Sequence, residues 1–76
     1  MKPEHQAKHL TNKQLEIIEL VAQGLKNKEI GMNMGIRPGT VKIHLKHIFE
    51  KTGIRGRYGL ALSGLREKGL LSYPTV

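Results

Sequence analysis

Lys42, Ile43 and Lys46 are spaced so that two amino groups flank one aliphatic side chain on a single helical face. With Val41 as origin and about 100° per residue, Leu45, Ile48, Phe49 and Thr52 fall within about 80° of it. Gly39, Lys42, Ile43, Lys46 and Glu50 cluster on the opposite side. One face therefore anchors the helix in a core, while the other holds an Ile that the core does not use. Ammonium groups only donate hydrogen bonds, so the lysines call for an acceptor-rich surface. The Ile calls for an apolar partner set among those acceptors. A lone exposed Ile is commonplace on protein surfaces. Its place between two lysines, just after a tight turn, favours recognition.

The charge pattern names the kind of surface. Thirteen Lys and Arg oppose six acids, all Glu, for a formal net charge of +7. Between Ile36 and Tyr58 stand Arg37, Lys42, Lys46, Lys51, Arg55 and Arg57 against Glu50 alone. Cations gathered in one short stretch favour a polyanion, nucleic acid before membrane. A major groove supplies guanine acceptors and phosphates for lysines and thymine methyls for the Ile. A-form RNA is disfavoured, because its major groove is too narrow to admit a helix. Duplex DNA is the expected partner.

Other chemistries find little support. His44 and His47 are three apart, but no carboxylate or Cys joins them at ligand spacing, and His5 and His9 lie far off. No metal and no cofactor are expected. No nucleophile stands beside a base and no glycine-rich phosphate loop follows a strand, so the chain does not read as an enzyme. A chain of 76 residues holds one domain. A domain of that size buries only about 60% of its unfolded surface, which leaves no room for a walled substrate pocket. It has no Cys, no membrane-spanning apolar run and no signal-peptide pattern. A cytoplasmic protein that makes no membrane contact is expected.

The elements that must position these residues are helices. Residues 1–10 read as a flexible arm and 11–72 as the domain. Thr11 and Gln14 form a capping box. Leu15, Ile18, Ala22 and Leu25 then recur at helical spacing, widened by Ile17, Leu20 and Val21, with Gly24 as the stop. Asn27 is placed to cap a short second helix, with Ile30 and Met34 inward. Gly31 permits close approach of another helix, and Gly35 the positive φ of a sharp turn. Pro38 opens a third helix that ends by Gly53. A fourth runs over about 56–68, stopped by Gly69, with Gly59 and Gly64 weakening it. The expectation is a compact all-α, four-helix domain with a central helix-turn-helix at about 27–46.

The ordered motifs match a known family. Leu10-Thr11, Val21-Ala22-Gln23-Gly24-Leu25, Asn27-Lys28-Glu29-Ile30, Thr40-Val41-Lys42-Ile43-His44-Leu45 and Ile48-Phe49-Glu50-Lys51-Thr52-Gly53-Ile54, followed by Arg57, resemble the LuxR-type (NarL/FixJ-type) helix-turn-helix. The resemblance implies a DNA-binding domain of bacterial transcription regulators whose third helix enters the major groove. By that resemblance Lys42, Ile43 and Lys46 face the bases. Asn27, Lys28, Thr40 and His44 lie where the family touches or orders the DNA backbone. Arg37, which replaces a usual capping Ser, is expected to reach a phosphate, and Arg57 is grouped with these backbone contacts. Lys13-Gln14 replaces Arg-Glu, Gly31 an Ala and Thr52 a Leu. The chain resembles either a stand-alone regulator or an excised C-terminal domain, and Met1 favours the former.

The fourth helix is expected to supply a small two-fold contact through Leu60, Leu62, Gly64 and Leu65. This would be a weak homodimer on DNA that sets two third helices on a pseudo-palindromic operator. RNA polymerase is a further possible partner by resemblance. The rival reading is a protein-interaction module that pairs through the fourth helix with another regulator and blocks its DNA binding. A sigma-factor-like domain shares the capped first helix and the turn, but residues 49–54 and the fourth helix argue against it.

Overall fold

The computed structural model describes residues 10–67. The arm over 1–9, His5, His9, Lys68, the Gly69 stop and the domain end at 72 lie outside the described residues. Four helices follow in order: α1 Asn12–Ala22, α2 Asn27–Met34, α3 Pro38–Thr52 and α4 Gly56–Glu67. Among the described residues there is no strand.

Each boundary has a local cause. Thr11 Oγ1 accepts from the Gln14 N–H at 3.1 Å, and Gln14 Oε1 accepts from the Thr11 N–H at 3.0 Å, so the capping box starts α1. Pro38 opens α3 at a position that needs no N–H. The N-cap there is Arg37, which caps with its backbone alone: its carbonyl accepts from the Thr40 and Val41 N–H groups. At the far end Thr52 Oγ1 donates to the Ile48 carbonyl at 2.8 Å and accepts from the Ile54 N–H at 3.1 Å. The hydroxyl of Thr52 thus closes the helix end, where Leu would contribute packing alone.

The second helix begins differently from expectation. Its N-cap is Lys26, and Glu29 Oε1 accepts from the Lys26 N–H at 2.7 Å. A lysine side chain cannot return such a bond, so Glu29 is the capping side chain. Asn27 is the first helical residue instead, and its carboxamide is engaged elsewhere.

Between α2 and α3 the chain turns through Gly35, whose φ of +73° an L side chain rarely adopts. The Gly35 N–H and the Ile36 N–H both donate to the Gly31 carbonyl. Gly31 meets the turn and the very start of α3: a Cβ there would lie 2.5 Å from the Ile36 carbonyl oxygen and 3.4 Å from both the Arg37 carbonyl carbon and Pro38 N. The lack of a side chain at Gly31 brings the turn back against its own helix and so sets the approach of α3.

The core is Ile17, Ile18, Leu20 and Val21 from α1, Ile30 from α2, Val41, Leu45 and Ile48 from α3, and Leu60 from α4. Leu25, Met34, Phe49 and Ala61 pack around it, half-buried. Helix α1 packs chiefly on α4, and α2 on α3. Two expectations fail at this level. Leu15 is 47% exposed, since the buried face of α1 runs through Gln14, Ile17, Ile18, Leu20 and Val21. Leu60 is fully buried and Gly64 is spent in the α1–α4 seam, where a Cβ would lie 2.9 Å from Ala22 Cβ and 3.1 Å from Ile18 Cγ2. Neither faces outward to pair with a second copy. Leu62 and Leu65 remain half-exposed.

Candidate nucleic-acid interface

The candidate surface is the outer face of α3 with the start of α2 beside it. Val41, Leu45 and Ile48 fix α3 in the core, so the residues half a turn away must face out. Lys42 and Lys46 are exposed, and Ile43 between them is 56% exposed despite its apolar side chain. An open groove runs along this face, lined by Lys42, Ile43, Leu45, Lys46, Phe49 and Glu50. Ile43, Leu45 and Phe49 give it an apolar lining, and Lys42, Lys46 and the acidic Glu50 line it with them. Such a groove offers an apolar strip for a methyl group and ammonium donors for acceptors on either side.

The flanking residues take graded positions. Arg37, at the N-cap of α3, and Lys28, in the first turn of α2, are exposed. Thr40, His44 and Asn27 are half-buried, where a short polar side chain is held still and still reaches the surface. His47 is exposed. Among the described residues no three His, Asp or Glu side chains gather as metal ligands.

Arg57 departs from expectation. Exposed at the surface, its guanidinium bonds to the chain itself: Nη1 donates to Asn27 Oδ1 at 2.8 Å and Nη2 to the Leu25 carbonyl at 2.7 Å. One further tie lies outside the expected set. Lys51 Nζ donates to Gln14 Oε1 at 3.0 Å, which turns one cation of the basic stretch toward the start of α1. Gln14 is correspondingly buried, at 6% exposure. The ties of Arg57 and of Lys51 join residues at least thirty positions apart, for which no local pattern gives a signal. Glu29 at three residues from Lys26 was a legible signal, since N3 glutamate is a helix-start mark. Tyr58, 77% exposed at the start of α4, is also outside the expected set.

Residues 8–63 match the family described as bacterial regulatory proteins, luxR family. Among curated relatives, the nitrate/nitrite response regulator protein NarL of Escherichia coli is 37% identical over 59 residues, covering 78% of this chain and 27% of NarL. The nitrate/nitrite response regulator protein NarP of the same organism is 33% identical over 60 residues, covering 79% of this chain and 28% of NarP. The transcriptional regulatory protein DesR of Bacillus subtilis is 38% identical over 64 residues, covering 84% of this chain and 32% of DesR. The chain thus spans about a third or less of the length of these relatives. No solved structure matches it.

Proposed function

Because this chain belongs to the luxR family of bacterial regulatory proteins, we propose that it binds a specific double-stranded DNA site as a transcription regulator, with α3 in the major groove. The observation that carries this reading is Ile43, 56% exposed between exposed Lys42 and Lys46 on a helix whose other face is buried. These three side chains read base edges. Lys28, Arg37, Thr40, His44 and Asn27 meet the sugar–phosphate backbone, which sets register without reading sequence. The protein works in the cytoplasm by binding, with no cofactor and no chemical step. Among the described residues no helix is long and apolar enough to cross a membrane.

Pairing on the DNA is part of the proposal. Leu62 and Leu65, half-exposed on α4, offer a small apolar contact for a second copy. So short a contact gives a weak dimer that assembles on two half-sites about one helical turn apart. A regulator held there stands within reach of RNA polymerase.

Selection of bound duplexes from a random pool, followed by a salt titration on the recovered site, tests the reading. If two copies neutralise about 6–10 phosphates, affinity falls about 10³–10⁵-fold between 50 and 200 mM salt. A nearly flat titration would sink the DNA reading in favour of a partner bound through α4.

A further inference from the structure

Arg57 is the second residue of α4, yet both ends of its guanidinium fork bond to the region where α2 begins. Nη2 holds the Leu25 carbonyl in the α1–α2 loop, and Nη1 holds Asn27 Oδ1 on the first residue of α2. The two acceptors flank Lys26, the residue at the helix start.

This fork has a consequence for Asn27. A carboxamide carries one acceptor oxygen and one N–H₂ donor group, and an Arg carries donors only. With Arg57 on the oxygen, the orientation of the amide is fixed and Nδ2 is turned away from α4. An unclamped Asn rotates freely between its two ends, and its oxygen end repels a phosphate. A lysine could not substitute, because a single ammonium cannot span two fixed acceptors as a planar fork does.

On the DNA-binding reading of α2 and α3, we infer that Arg57 is a positioning residue: it presents the Asn27 N–H₂ group to a backbone phosphate and makes no DNA contact itself. The long-range tie between α4 and α2 thereby acts on affinity through one neutral donor, with two of the guanidinium donors of Arg57 engaged on Asn27 and Leu25.

A double-mutant cycle separates this role from a direct phosphate contact. Asn27→Ala, Arg57→Gln and the double variant are titrated against the selected operator and a random duplex at several salt concentrations, at a temperature where melting curves show each chain folded. Asn27→Ala is expected to cost about 10–100-fold on both duplexes, the contribution of a hydrogen bond to a charged group. Arg57→Gln costs less, leaves the salt slope unchanged, and has no further effect in the Asn27→Ala background. Asn27→Asp supplies the check that does not disturb the fold. Its carboxylate keeps the bond from Arg57, so the melting temperature holds or rises, but binding falls at least as far as in Asn27→Ala because no donor remains. Additive losses, or a salt slope reduced by about one in Arg57→Gln, overturn the inference alone. A wild-type chain that binds no duplex overturns it together with the DNA reading.

Discussion

On the outer face of α3, Lys42, Ile43 and Lys46 stand exposed, and the fold places no demand on what they are. In the seam between α1 and α4, a single methyl added at Gly64 would collide with Ala22 and Ile18. Both regions mix small, apolar and flexible residues, yet their constraints are opposite. In the seam, shape decides stability and the outside world is indifferent. On α3, stability is indifferent, and on the proposed DNA reading a partner decides. Helical periodicity alone reports amphipathicity in both places, so what distinguishes them is which side is already occupied.

Substitutions that move one property and not the other sharpen this contrast. The largest effect is expected for Ile17→Ala, which empties a fully buried position and should cost about 2–5 kcal/mol in denaturant unfolding. DNA affinity of the fraction still folded should be unchanged. Lys42→Ala or Lys46→Ala reverses the pattern. Each should weaken the operator by about 1–3 kcal/mol more than a random duplex, while unfolding stays within about 0.5 kcal/mol of wild type. Lys28→Ala should weaken both duplexes alike, because a phosphate contact carries no sequence information. Equal losses from all three lysines would show that the reading face is misassigned.

Gly64→Ala comes next. Crowding against Ala22 and Ile18 costs about 1–3 kcal/mol, and the better helix propensity of Ala returns about 1 kcal/mol. A net loss of about 0–2 kcal/mol is expected, and a gain in stability would show that the seam yields. The smallest effect is expected at Gln14→Glu. A carboxylate there sits at the N-terminus of α1, in the position that accepts from Lys51 Nζ. The charge-assisted bond outweighs the burial of the group by about 0.5–1 kcal/mol. The gain should vanish on acidification, when the carboxyl takes up its proton.

Much of this was legible beforehand. Thr11 with Gln14, Pro38 at the start of α3 and Gly53 at its end are local signals, settled within one turn of chain. The outer face of α3 was legible because Val41, Leu45 and Ile48 make a narrow stripe that leaves the opposite side undisputed. Leu15 was misplaced because counting by threes and fours lets the stripe drift. It lies roughly 130° from the centre of the buried face of α1 once Gln14, Ile17 and Leu20 are included. Leu60 and Gly64 could not be sorted, because α4 carries apolar residues on several faces and its partner α1 is distant in sequence. The Arg57–Asn27 bond is a product of tertiary approach, and no spacing rule reaches it.

The seam also ties the timing of assembly to the synthesis of α4. Ile18 and Ala22 are made about forty residues before Gly64, which packs against them, and Leu60 of the same core comes only shortly before it. At about 5–20 residues per second, the ribosome needs about 2–8 s to make the stretch between Ala22 and Gly64. Throughout that interval α1 has no complete α4 to bury its apolar side, while α2 and α3 are being made. The nascent domain therefore passes through a stage in which α3 has α2 beside it while α1 still lacks its main packing partner. Its maturation is an abrupt, late event that a stop codon placed before α4 would abolish.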